Sequence, residues 1–199
     1  MALSKEEELF LSDLSKNVIN RYLREGSFVE TPAQVPSSLL QKRGIFLSIK
    51  KSEAVSGKAK TLCCLGYLFP KRNLVESLLT LATNGAIRIR SLEKVCAENL
   101  NDLHLEINIL EQPERLEGKP LEYSKKIDIK RDGIMIKDGP KVGVIIPSEM
   151  GDPQLTSVEY IGECCAKVGL TADAWITGKI EVYRFRVHNL KVVLTDFIP

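Results

Sequence analysis

Five cysteines and two histidines carry most of the chemistry open to this chain, and four of the cysteines form adjacent pairs, Cys63-Cys64 and Cys164-Cys165. The first pair lies in Thr61-Leu62-Cys63-Cys64-Leu65-Gly66-Tyr67, which reads as a short buried strand ending near a glycine. A thiolate needs no histidine beside it in the sequence to act as a nucleophile, so Cys63 or Cys64 could serve as a nucleophile or a redox thiol. Neighbours on a strand point to opposite faces, which would put one thiol in a core and the other toward a cleft. Against this stands the ordinary role of unoxidised cysteine as a small buried hydrophobe.

Other chemistries are less well supplied. Structural zinc sites use cysteines separated by two to four residues so that both sulfurs reach one metal, and adjacent cysteines lack that geometry. Cys164 and Cys165 fall on a predicted helix about 100° apart, so one should face inward and one outward. The spacing therefore points to no metal site, and no cofactor motif is present. His104 falls on the polar face of a predicted strand and His188 near a strand end, both as plain surface residues. No G-x-S-x-G, H-E-x-x-H or G-x-x-x-x-G-K-[ST] motif occurs. Arg88 and Arg90, and Arg184 and Arg186, alternate along segments read as extended, where each pair could hold a phosphate or carboxylate or simply form a solvated face.

These residues must be positioned by one core or two small lobes, which is what 199 residues can build. The charge of +2, from 28 basic and 26 acidic residues, argues against a dedicated nucleic-acid binder. No apolar run approaches the roughly 18 residues that would span a bilayer. The acidic N-terminus, with three consecutive glutamates at Glu6, Glu7 and Glu8, does not read as a secretory signal. The odd number of cysteines is unlike a paired disulfide framework, and the chain reads as cytoplasmic with no membrane association.

Along the chain, Ser4 with Glu7 forms a capping box ahead of a helix with Phe10, Leu14, Val18 and Tyr22 on one stripe, stopped by Gly26. Residues 44–50 and 61–67 read as two strands joined through a polar connection containing Gly57. Asn73 caps a helix that Gly85 should close. Leu103, Leu105, Ile107 and Ile109 alternate with polar residues, predicting a half-buried strand. The charged stretch 111–125, broken by Pro113, Gly118 and Pro120, reads as a linker. Beyond it, residues 126–131, 134–137 and 141–146 read as a three-stranded meander turning at Asp132-Gly133 and Asp138-Gly139. A helix over about 158–168, a strand over 179–187 and a final run over 190–198 that could pair with it complete the pattern.

The order of these elements resembles the AMMECR family over nearly the whole chain. The resemblance rests on Gly44-Ile45-Phe46-Leu47-Ser48-Ile49, Cys64-Leu65-Gly66-Tyr67, Leu74-Val75-Glu76, residues 126–138, Val144-Ile145-Ile146-Pro147, residues 167–175 and Val182-Tyr183-Arg184-Phe185. It implies a two-lobed α+β protein. The larger lobe, 1–120 with 178–199, would hold an antiparallel sheet and flanking helices. The smaller inserted lobe, 121–177, would hold the three-stranded antiparallel meander and a helix. The family's signature, Leu-Arg-Gly-Cys-Ile-Gly, would lie on a strand facing the interlobe cleft.

Aligned on Cys64-Leu65-Gly66, the signature's first Leu falls on Thr61, its Arg on Leu62 and its first Gly on Cys63. Only Cys64 and Gly66 carry over, and the guanidinium is gone. The downstream Asp-Pro-Arg-Phe-Pro-Pro segment has no counterpart between Ala82 and Leu92, and residues 150–156 lack the family's tryptophans.

The reading expected from this is a binding or adaptor module whose cleft, lined by Leu62, Cys63, Cys64, Gly66 and Tyr67, holds a protein or peptide. The resemblance implies a partner in a Memo-like or radical-SAM system. The alternative is an enzyme with Cys64 as its catalytic nucleophile, acting on a large substrate. A third reading, nucleic-acid binding through the arginine faces, has weaker support.

Overall fold

The computed structural model describes residues 3–52, 59–147 and 155–194, without the side chains of 97–99. The predicted turn at Gly57 and the segments 148–154 and 195–199 lie outside the described residues. The fold is α+β and divides into two compact units, residues 1–109 with 188–199, and residues 110–187. Each has its own hydrophobic cluster. Among the described residues no helix is long and apolar enough to cross a membrane.

In the first unit, α1 (Lys5–Glu25) starts at the predicted capping box, with Ser4 Oγ accepting from the Glu7 N–H and Glu7 Oε2 accepting from the Ser4 N–H. It ends at Gly26, whose φ of +72 suits glycine. The strands β1 (Ile45–Ser52), β2 (Ala59–Tyr67) and β3 (Leu103–Leu110) follow, with α2 (Leu74–Leu92) between the last two. The sheet order is β2-β1-β3-β7, the unit taking residues 188–193 of β7 (Glu181–Val193). Ile45, Leu47 and Ile49 of β1 and Leu105, Ile107 and Ile109 of β3 join buried residues of α1 and α2 in one cluster.

Two expectations change in this unit. Gly85 does not stop α2, which runs on to Leu92. A Cβ there would come within 2.8 Å of Ile49 Cδ1, so the glycine lets helix and sheet pack closely. The polar face of β3 is buried as well as the apolar one, because Glu106 and Asn108 find partners on neighbouring strands.

In the second unit, β4 (Glu114–Arg115), β5 (Asp132–Asp138) and β6 (Lys141–Ile145) join residues 181–187 of β7 in the order β6-β5-β7, with β4 also on β7. α3 (Ser157–Ala166) packs against β5 and β6 behind a second capping box, Thr156 with Glu159. The stretch read as a linker is structured: β4 pairs with β7, Leu116 and Tyr123 are buried, and Pro120–Lys126 is 3-10 helix.

The meander is corrected too. Residues 126–131 are not a strand, and β5 starts at Asp132. Asp132 Oδ2 accepts from the Asp128 N–H, while Gly133 lies under the Phe185 ring in the β5–β7 ladder. The Asp138-Gly139 turn forms as predicted, joining β5 to β6 with Gly139 at φ +57. Residues 181–193 form one strand, so the runs 179–187 and 190–194 are continuous instead of paired with each other.

Candidate functional site

β2 carries both thiols of the first pair. It pairs antiparallel with β1, Ile49 opposite Cys63 and Ser48 opposite Cys64, and the register then slips so that Lys50 faces Thr61. Leu62, at the signature's arginine position, is left over as the bulged residue. A bulge breaks the ladder and re-aims its side chain, and Leu62 packs half-buried against the first unit's core.

Strand alternation separates the thiols. Cys63 is 5% exposed within that core, and burial pushes its thiol up in pKa, with Arg88 pulling partly back. Cys64 is exposed on the other face.

Cys64 heads a row of polar side chains across the sheet. Ser48 Oγ lies 3.2 Å from Cys64 Sγ and donates to it. Across β1, Ser48 faces Glu106 of β3, whose carboxylate meets Lys50 Nζ at 2.7 Å. Ser48 and Glu106 are both buried. Two residues along, Phe46 faces Gly66 on one side and Asn108 on the other. A Cβ on Gly66 would meet the Phe46 ring at 2.2 Å, so the glycine is the seat of an aromatic ring. Asn189 Nδ2 donates to Asn108 Oδ1 at 2.8 Å. Tyr67 ends the strand, exposed.

Chemically, this row holds Cys64 through a hydrogen bond from Ser48. Ser48 is its only hydrogen-bond partner among the described residues, and a hydroxyl is a poor base toward a thiol. Glu106 is the nearest acid in register, and its charge is taken by Lys50. His104 faces Lys50, and His188 Nε2 is 2.7 Å from Glu8 Oε1. Ser48 and Glu106 went unrecognised in the sequence, although Ser48 stands alone as a polar residue within Phe-Leu-Ser-Ile.

The remaining candidates disperse. Arg88 and Arg90 lie on α2, not on a strand, so residues two apart do not share a face. Arg90 donates to the Tyr22 carbonyl at 3.0 Å and lies over the Tyr22 ring. Arg184 and Arg186 do share a strand face, but each is neutralised, by Glu114 at 3.4 Å and by buried Asp132 at 2.9 Å. An open groove of about 360 Å³ in the second unit is lined by Glu114, Arg115, Leu116, Glu117, Lys126 and Arg184. Its cations are engaged, Arg115 with Glu181 and Lys126 with the Glu117 carbonyl.

Cys164 and Cys165 are both buried, which corrects the inward–outward expectation. Cys164 Sγ is 3.6 Å from the Ile134 carbonyl, and burial pushes the Cys165 thiol up in pKa despite the Trp175 backbone N–H. Among the described residues no three His, Cys, Asp or Glu side chains converge as a metal site.

Several known proteins are similar to this chain in sequence or in structure. Protein PF1979 of Pyrococcus furiosus is 31% identical over 176 residues, 88% of this chain and 83% of that one. A Thermofilum pendens protein is 30% identical over 189 residues, 92% of this chain and 89% of its own. The crystal structure of the uncharacterised protein PH0010 from Pyrococcus horikoshii superposes with a TM-score of 0.81 at 28% identity, covering 95% of this chain and 93% of that one. The AMMECR1 family model matches residues 12–190. With β1, β2 and β3 all inside that match, the chain belongs to the AMMECR1 family.

Proposed function

We propose that this protein is a polypeptide-binding module that uses β2 as its contact edge, and that Cys64 is not a catalytic nucleophile. The observation that carries this reading is the setting of Cys64: an exposed thiol hydrogen-bonded to Ser48, with no imidazole or uncommitted carboxylate beside it among the described residues. Nucleophilic cysteines draw their reactivity from a neighbouring base or cation, and in this row the one carboxylate and the one cation, Glu106 and Lys50, are engaged with each other. The row instead backs the edge strand, with Gly66 seated under Phe46 and Lys50 paired with Glu106 on the strands behind it. Thiols instead of disulfides at all five cysteines fit a cytoplasmic setting. A protein of a Memo-like or radical-SAM system is the partner class proposed from the family resemblance.

The test compares iodoacetamide alkylation of Cys64 at neutral pH in the folded protein and in urea. The binding reading expects no selective acceleration in the fold, and a Cys64→Ala variant that still binds polypeptide. A tenfold or greater acceleration at Cys64, about 1.4 kcal/mol of activation, overturns it in favour of a cysteine-dependent enzyme acting on a large substrate.

A further inference from the structure

Resting on the polypeptide-binding reading, we propose that the partner segment is acidic and extended, and that it docks by adding a strand along β2. Among the described residues β2 pairs only with β1, so its outer row of backbone N–H and C=O groups is open to another strand. Thr61, Cys64, Gly66 and Tyr67 are exposed along it. The bulge at Leu62 interrupts the edge, leaving residues 63–67 as the regular stretch that an incoming backbone can follow. Beyond that stretch, Phe69 is 66% exposed and offers an apolar contact for the incoming chain.

Charge selects the partner. Residues 43–72 contain seven basic residues and one acidic residue, Glu53, in a chain whose totals are 28 and 26, so the rest of the molecule is net acidic. Lys50 is neutralised by Glu106, and Lys60 is held only loosely by Glu93, at 3.5 Å and 58% exposed. Lys51 sits directly opposite Lys60 in the β1–β2 register, and like charges so placed repel. Neither Lys51 nor Lys71 has an acidic partner among the described residues, and Arg72 reaches only the Thr80 hydroxyl. Cations therefore flank β2 at both ends. Edge lysines discourage pairing with a second, equally basic copy of this hairpin, and the same lysines attract an acidic strand. An open backbone edge favours a polypeptide over a nucleic acid, because only a polypeptide can continue the ladder.

The experiment uses the full chain and fluorescein-labelled dodecamers of alternating Glu and Val, their Lys-for-Glu counterparts, and the Glu-Val peptide N-methylated at alternate residues. The acidic peptide is expected to bind by anisotropy and to slow amide exchange at residues 63–67. Its affinity should fall as NaCl rises from about 0.05 to about 0.5 M, because the screening length shortens. Lys60→Glu and Lys71→Glu should each weaken it at least about threefold, in the range of a surface charge pair.

Equal binding of the lysine peptide, or of the N-methylated peptide, overturns acidic strand addition while leaving a polypeptide-binding role standing. Preferential binding of oligouridylate on the same face overturns it in favour of single-stranded nucleic acid. Absence of all peptide binding together with accelerated Cys64 alkylation removes the binding reading itself.

Discussion

Two adjacent cysteine pairs occupy the two units, and their fates differ. Cys63-Cys64 sits on β2, where the two-residue period sends one thiol into the core and leaves the other exposed. Cys164-Cys165 sits on α3, where neighbours are about 100° apart, and both are buried. The helix is covered on two sides. Cys164 lies against β5, and Cys165 lies beside Trp175 in the 3-10 turn Ala174–Thr177. Burial thus follows from how many sides of an element are packed, and an identical dipeptide can present one thiol or none.

The largest expected effect tests this contrast directly. In the folded protein Cys64 should react with a soluble disulfide reagent within minutes. Cys63, Cys164 and Cys165 should react slower by a factor on the order of a hundred or more, since each needs a local opening first. Mass spectrometry of the labelled peptides reads all four at once. Labelling of Cys165 as fast as Cys64 would break the two-sided packing account of α3.

A second parallel sharpens the comparison. Each unit seats an aromatic ring on a strand glycine directly opposite it, Phe46 on Gly66 in the first and Phe185 on Gly133 in the second. In both, a Cβ would fall 2.2 Å from a ring carbon. The sites differ in freedom: Phe185 is 2% exposed with Gly133 buried, whereas Gly66 is exposed under a half-buried Phe46. Gly133→Ala should therefore cost about 3 kcal/mol and Gly66→Ala about 1 kcal/mol, as overpacking does where a ring is locked and where it can swing. Urea denaturation of the two variants measures the difference, and equal losses would show that ring mobility is not what separates them.

These glycines also show what a sequence can and cannot reveal. Asp132-Gly133 and Asp138-Gly139 are locally the same turn signal. The second is a turn, and the first is a strand start because Phe185, more than fifty residues on, lies over it. Gly85 looked like a helix stop for the same reason, since its use is contact with Ile49. The Ser4–Glu7 capping box was legible because it completes its bonds within one turn, while the Thr156–Glu159 box, equally local, went unread ahead of α3. At the candidate site, strand parity allowed one thiol to be exposed. The Ser48–Glu106–Lys50 row behind it depends on a three-strand register that no local pattern encodes.

Buried polar atoms give a smaller test of how each unit tolerates imperfect pairing. In the first unit Asn20 of α1 is 4% exposed, and neither of its amide atoms has a partner among the described residues. In the second, Trp175 Nε1 finds no partner among the described residues, but its ring stacks at 6.4 Å on Tyr123. Asn20→Leu keeps the branching and heavy-atom count, removes an unpaid desolvation cost and improves helix propensity, so it should raise stability by about 1–2 kcal/mol where the two methyls fit. Trp175→Phe also removes an unpaired donor, but it forfeits stacked area and should show no gain. Thermal denaturation separates the two, and a destabilised Asn20→Leu protein would mean that the amide holds a bound water or a hidden partner.

The smallest effect separates the two capping boxes by acid titration. Glu7 and Glu159 both have carboxyl groups held below the ordinary value of 4.5. For Glu159 the causes are local, the Thr156 backbone N–H first and then its hydroxyl. For Glu7 the leading cause is the Ser38 hydroxyl, from the 3-10 turn Ser37–Leu40, ahead of the Ser4 backbone. A depressed folded pKa contributes stability that is fully present above the unfolded value and lost as pH falls through the folded one. Both helix starts should therefore be intact at neutral pH and loosen only below the ordinary carboxylate range. Ser38→Ala should move the Glu7 midpoint back up toward 4.5 and leave Glu159 where it is. First-turn amide shifts followed by NMR read each box separately. If Ser38→Ala leaves the Glu7 midpoint in place, α1 is capped as locally as α3, and the distinction between a tertiary and a local cap disappears.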